Sequence, residues 1–184
     1  FETAWGRELD PERGLTVTEI VASALKGGVR GMYMMGENPF LSDPNMNKVR
    51  KALSKLDFLV VQDIFLTETA EFADVVLPAS SYLEKDGTYT NTDRRVQLGR
   101  KVFDPPGDAR VDWEIVQDIA RRLGLDWNYS SPSEIFDEMV PLMPDYANLR
   151  HDNLGAYGKL YPIEDPEHDD GTVVLFDERF NTTD

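Results

Sequence analysis

The chain has 184 residues, 41% apolar and 29% charged, enough to bury a core and too apolar for wholesale disorder. Its 34 acidic against 19 basic residues leave a net charge of −15, which argues against a nucleic-acid or anionic-membrane partner. With no cysteine, and only His151 and His168 as histidines, it excludes iron–sulfur ligation, disulfides, a cysteine nucleophile and a His-rich metal site within the chain.

Residues 1–15 are polar and turn-rich and read as an entry segment. Thr16 followed by Glu19 is a capping-box signature, and Ile20, Val21, Ala24 and Leu25 form one apolar helical stripe that Gly27 and Gly28 terminate. Gly31 to Met35 is a short apolar run between glycines, which favours a buried strand. A helix is expected from Pro44 to Leu56, with Met46, Val49, Ala52, Leu53 and Leu56 on one side. Phe58 to Val61 reads as a second strand closed by Gln62 and Asp63. Thr67 or Thr69 can cap a short helix through Phe72, and Asp74 to Pro78 is a third strand. Pro78 to Gly107 is a long polar excursion without helical period. Helices then follow from Asp112 to Gly124 and from Ser131 to about Met143. After Pro144 periodicity is lost, residues 164–170 form an acidic loop, and Val173 to Phe176 can make a final strand.

Strands that are apolar throughout, alternating with helices, are the pattern of a parallel sheet covered on both faces. The fold class is therefore α/β, a Rossmann-like, mainly parallel sheet with helices on both faces. No run approaches the about 18 apolar residues of a membrane span. The start at Phe1 and the polar end at Asp184 lead us to expect a fragment.

In such a sheet ligands bind beyond the carboxyl ends of the strands. Three loops qualify: Gly36–Pro39, Gln62–Thr67 and Pro78–Gly87. Gly36 permits close backbone approach, and the Asn38 amide both donates and accepts. Asp63 is a carboxylate at a strand end, able either to cap a turn or to accept the paired N–H groups of a guanine edge. Residues 84–101 invert the local charge, with Lys85, Arg94, Arg95, Arg100 and Lys101 against Glu84, Asp86 and Asp93. That segment fits an anionic ligand such as a pyrophosphate, or equally a solvated loop paired with acidic neighbours. Neither a GxGxxG nor a P-loop pattern is present. Glu84 with Asp86, and Asp169 with Asp170, read as exposed turns rather than acid–base pairs. The Asn128 and Asn181 glycosylation patterns read as coincidence.

Four motifs in order, MYMMGENP (32–39), LDFLVVQDIFLTETAEFADVVLP (56–78), EKDGTYTNTDRRVQ (84–97) and PPGDARVDWEIV (105–116), resemble the molybdopterin oxidoreductases. The resemblance is strongest to the catalytic alpha subunit of formate dehydrogenases and covers residues 16–145. It implies one of two Rossmann-like domains that together hold molybdenum or tungsten on two molybdopterin guanine dinucleotides. On that resemblance residues 1–15 enter a domain spanning 16–145, and 146–184 lead as an irregular tail to a further domain. Carried over by motif, Gly36 and Glu37 line the cofactor loop, and Asn38 sits by its phosphate and ribose part. Gln62 and Asp63 meet the guanosine, while Lys85 and Asp112 are further cofactor contacts.

The family's active-site cysteine or selenocysteine, its neighbouring histidine and its iron–sulfur cysteines have no counterpart here, so this chain supplies no catalytic and no metal-ligating residue. The resemblance implies that these, and the iron–sulfur clusters, lie in the rest of a subunit several times longer. Expected partners are the other domains of that subunit, electron-transfer subunits and formate, with neither nucleic acid nor direct membrane insertion. The expected location is the cytoplasm or a membrane-associated complex. The other reading is a cofactor-free structural relative, such as the large iron–sulfur subunit of respiratory NADH:quinone oxidoreductase. The retained polar residues Asn38, Asp63, Lys85 and Asp112 favour binding. A different oxyanion substrate, such as nitrate, is a third possibility, away from which the GENP, QDIF and EKDG spelling leans.

Overall fold

The structure, a computed structural model, describes residues 1–163 and 170–175. In chain order they form α1 (Glu2–Trp5), α2 (Val17–Leu25), β1 (Gly31–Met35), α3 (Pro39–Ser42), α4 (Met46–Leu53), β2 (Phe58–Asp63) and β3 (Val75–Pro78). There follow β4 (Gly87–Thr90), β5 (Arg95–Gly99), α5 (Asp112–Arg122), α6 (Pro132–Met139) and the two-residue β6 (Lys159–Leu160). The chain divides into two compact units. One comprises Glu8–Ser81 and Asp104–Asp118, the other Phe1–Arg7, Tyr82–Phe103 and the described residues from Ile119 on.

The first unit holds a three-stranded parallel sheet in the order β1-β2-β3, so the α/β class is what the residues build. Register pairs Met32 with Leu59, Met34 with Val61, and Val61 with Val76. Leu59 and Val61 share a core with Val21 and Ala24 of α2 and Val49, Ala52 and Leu53 of α4, so these two helices cover one face. Alternation then turns Val60 and Gln62 to the opposite face, where α5 begins with Asp112 bonded to Gln62. On that face Tyr33, Met35 and Phe58 stay 42%, 51% and 50% exposed.

Helix α2 starts as the residues foretold. The Glu19 carboxylate accepts both the Thr16 N–H and its hydroxyl, each at 2.7 Å, which satisfies a donor that the helix itself cannot. The helix expected from Pro44 to Leu56 is the shorter α4, and a separate short helix, α3, precedes it. Asp43 Oδ1 accepts the Asn45 N–H at 2.8 Å, and Asn45 Oδ1 accepts the Lys48 N–H at 3.0 Å. These local bonds put Pro44 in the connection and make Asn45 the cap of α4. Asp74 lies just outside β3, where its carboxylate accepts the Leu59 N–H at 2.7 Å.

The second unit contains an antiparallel sheet, β4-β5-β6, in the segment read from sequence as an irregular excursion and its sequel. The β4–β5 hairpin pairs Thr88 with Leu98 and Thr90 with Val96. Its turn is held by Arg94 N–H to Asn91 O at 2.9 Å, with Arg94 in the left-handed region at φ +68°. The missing side chain of Gly99 leaves the space that the Tyr89 ring fills. Val96, Phe136, Tyr146, Leu149, Leu154 and Ile163 form this unit's core. The helix expected to run to Met143 ends at Met139 and continues as 3₁₀ turns at Val140–Leu142 and Pro144–Tyr146. Val173 to Leu175 form no strand. Residues 164–169, including His168 and most of the acidic loop, lie outside the described residues, as do Phe176 and everything after it, including the pattern at Asn181.

Candidate functional site

The carboxyl ends of β1 and β2 meet at Gly36 and Gln62. Gly36 adopts φ +64°, a left-handed conformation that glycine takes at no steric cost, and its N–H donates to the Gln62 carbonyl at 2.9 Å. A Cβ on Gly36 would meet nothing within 4 Å, so the backbone conformation, not crowding by the chain, calls for glycine here.

Gln62 is fully buried, and both ends of its amide are committed. Nε2 donates to Asp112 Oδ1 at 2.9 Å, and Oε1 accepts the Tyr33 hydroxyl. The Ser80 hydroxyl donates to Asp112 Oδ2 at 3.4 Å. Burial, and after it the Asp112 charge, push the Tyr33 phenol up from its ordinary value. Gln62 thus orders the strand end and Asp112 from within. Tyr33 and Ser80 were not foreseen as site residues, although strand parity puts Tyr33 on the same face as Gln62.

Of the two roles considered for Asp63, the structure shows the turn. Oδ1 accepts the Phe65 N–H at 3.1 Å and closes a turn, while Oδ2 makes no bond among the described residues. Glu37 is exposed and has no hydrogen-bond partner among them.

Asn38 is fastened by two residues that sequence reasoning did not assign to the site. The hydroxyl of the fully buried Thr69 donates to Asn38 Oδ1 at 2.7 Å and accepts the Phe40 N–H at 3.2 Å. Asn38 Nδ2 donates to Glu68 Oε2 at 2.9 Å. That bond is the main cause holding the exposed Glu68 carboxylate below its usual range. The capping expected of Thr67 or Thr69 falls to Thr67, whose hydroxyl accepts the Ala70 N–H at 3.2 Å.

Gly36, Glu37, Asn38, Gln62, Asp63 and Asp112 therefore belong to one unit, whereas Lys85 lies in the turn before β4 in the other. In that second unit Arg94 and Arg95 hold the chain itself. Arg94 donates to the carbonyls of Tyr161, Thr172 (2.8 Å) and Val173 (3.1 Å), and Arg95 pairs with Asp93 at 3.6 Å. For these two arginines the paired-loop reading describes what they touch.

An apolar hollow of about 390 Å³ flanks β1, walled by Ile20, Met32, Met34, Val49 and Leu53. Of the site residues above Tyr33 and Glu37 also line it, but most of its walls are apolar and suit apolar groups, while the strand ends suit polar ones. Among the described residues no group of three or more His, Cys, Asp or Glu is gathered to hold a metal, and no helix is long and apolar enough to cross a membrane. What the strand ends present is a set of hydrogen-bonding groups, acceptor-rich, suited to binding.

Comparison with known proteins gives this arrangement a family. The molybdopterin oxidoreductase family model matches residues 7–122. The chain is 47% identical over 184 residues to the F420-dependent formate dehydrogenase subunit alpha of Methanocaldococcus jannaschii, covering 99% of this chain and 27% of that protein. It is 48% identical over 182 residues to a putative formate dehydrogenase of Staphylococcus aureus strain USA300, covering 98% of this chain and 18% of that protein. It thus spans about a quarter or less of these relatives' lengths. The solved structure of acetylene hydratase from Pelobacter acetylenicus matches with a TM-score of 0.62 at 21% identity, over 78% of this chain and 21% of that one, a likeness of fold. With parallel strands, loops and motifs all falling inside the matched span, the chain belongs to the molybdopterin oxidoreductase family.

Proposed function

We propose that this chain is the part of a larger formate dehydrogenase that holds one of two molybdopterin guanine dinucleotides, with iron–sulfur clusters and electron-transfer partners supplied outside it. The observation that carries this reading is Asp63, which closes its own turn through one oxygen and leaves the other unengaged at the end of a parallel strand. An anionic acceptor there fits the N1–H and amino edge of guanine. Asn38 supplies a donor to the sugar–phosphate part, Gly36 and Glu37 shape the loop beside it, and Gln62 holds Asp112 for a further polar contact. By the same motif reading Lys85 is a cofactor contact.

When bound, the molybdenum or tungsten cofactor supplies the two-electron redox chemistry on formate. The chain's own residues bind and orient the nucleotide end, and none of them is catalytic. By itself the 184-residue chain is expected to have no formate activity.

The test is the guanine and metal content of the full-length subunit that contains this chain. About two guanosine nucleotides released per molybdenum or tungsten, the stoichiometry of the bis-dinucleotide cofactor, support the reading and make formate oxidation the next assay. Neither metal nor guanine, in protein whose iron–sulfur clusters are intact, would make it a cofactor-free relative.

A further inference from the structure

We propose that Thr69, Asn38 and Glu68 form a relay that reads a sugar hydroxyl of the dinucleotide rather than its phosphates, with Thr69 as the positioning residue. The inference rests on the reading that the chain holds a guanine dinucleotide, and it concerns which part of that ligand meets Asn38.

An asparagine amide has a donor end and an acceptor end, and which one faces out decides what it can bind. At Asn38 the neighbours settle the matter twice. The Thr69 oxygen accepts the Phe40 N–H, so its single proton needs an acceptor, and the only one given it is Asn38 Oδ1 at 2.7 Å. On the other side Glu68 can only accept, so it requires the Nδ2 end, 2.9 Å away. A flipped amide would strand a buried hydroxyl proton and set a carbonyl oxygen against a carboxylate. Thr69 thus turns the amide nitrogen outward, where one N–H meets Glu68 and the second has no partner among the described residues.

A ligand oxygen that approaches this second N–H also approaches Glu68. A hydroxyl satisfies both, accepting from Nδ2 and donating its proton to the carboxylate. A phosphate has no proton to give at neutral pH and brings negative charge to a carboxylate. No cation on these loops would offset that repulsion, since residues 36–39 and 62–69 carry Glu37, Asp63 and Glu68 but neither Lys nor Arg. The sugar, with its paired hydroxyls, is the part of a dinucleotide that matches a donor and an acceptor side by side.

The experiment follows the rate at which the full-length subunit loses its guanine nucleotide on dialysis, with the thermal midpoint of each variant as a check on folding. Glu68→Gln should speed the loss about tenfold, the scale of one charge-assisted hydrogen bond. A phosphate at this position would instead be relieved of repulsion, so a slower or unchanged loss overturns the proposal. Thr69→Val should also speed loss about tenfold and Thr69→Ser, which keeps the hydroxyl, less than about twofold. In an Asn38→Ala background Thr69→Val should add less than about twofold, because the group it orients is gone. If Thr69→Val has its full effect in that background, Thr69 acts on the fold alone and the positioning role fails. A wild-type subunit without any guanine nucleotide would remove both this inference and the function on which it rests.

Discussion

Gln62 Nε2 donates to Asp112 Oδ1 at 2.9 Å across fifty residues of chain. The bond joins the carboxyl end of the central strand to the first turn of α5. With Tyr33 on the other end of the same amide, it leaves a fully buried glutamine with neither end unpaired. Buried amides that are fully satisfied specify one arrangement of their neighbours, because every alternative strands a donor or an acceptor.

Replacing Gln62 by leucine keeps most of the volume and removes both bonds. Tyr33 is exposed enough to turn to water, so the loss falls mainly on Asp112, and the expected destabilisation is about 1–3 kcal/mol. Urea denaturation of the chain measures it. A midpoint equal to wild type would mean that the network orders the strand end without stabilising it.

Asp63→Asn separates the turn from the proposed guanine contact. Asparagine Oδ1 can still accept the Phe65 N–H, so the turn and the thermal midpoint should hold. The anionic acceptor is lost, and guanine nucleotide retention in the full-length subunit should weaken by about 1.5–3 kcal/mol, the range for hydrogen bonds to a charged group. Unaltered retention would leave Asp63 as a turn residue only.

Adjacent positions on β2 should respond very differently. Leu59 is 1% exposed, in the core under α2 and α4, and its replacement by alanine should destabilise by about 2–5 kcal/mol. Phe58, on the open side, should lose about 0.5 kcal/mol or less on the same change. Equal effects in denaturation experiments would contradict the assignment of the two faces.

Stability should fall on the acid side. Glu19, Glu68 and Glu134 all lie below the ordinary value of 4.5, chiefly through bonds from the Thr16 N–H, the Asn38 amide and the Ser130 hydroxyl respectively. A carboxyl whose folded value is depressed stabilises the fold above its unfolded value, and that contribution is lost as pH drops through the folded one. The thermal midpoint should therefore decline below about pH 4.5, and less steeply in Glu134→Gln. A midpoint that holds steady down to pH 3 would show that these bonds do not depend on charge.

Much of the parallel sheet was legible because its strands are apolar end to end and its first helix carries its own cap. Gln62 and Asp63 were legible by position, as polar residues closing an apolar strand. The start of α4 was not, since Asn45 competes with Pro44 as a start signal and only the Asp43–Asn45–Lys48 bonds decide between them. The β4–β5 hairpin was hidden because its turn places an arginine, not a glycine or asparagine, at positive φ. Thr69 was hidden for another reason. Its sequence neighbours suggest a helix cap, and its bond to Asn38, thirty-one residues away, exists only once the strands are aligned.

The unit that carries the strand ends is discontinuous in the chain, interrupted by Tyr82–Phe103. Tyr33, Asn38, Gln62, Asp63, Thr69 and Ser80 have all been synthesised before the interruption, but Asp112 has not. At translation rates of about 5–20 residues per second, Gln62 waits roughly 3–10 s for its carboxylate partner. For the part of that interval after Ser80 is made, the nascent sheet has all three strands and lacks the residue that fixes the end of the central one. The order in which this protein is made is therefore not the order in which its binding end can be finished.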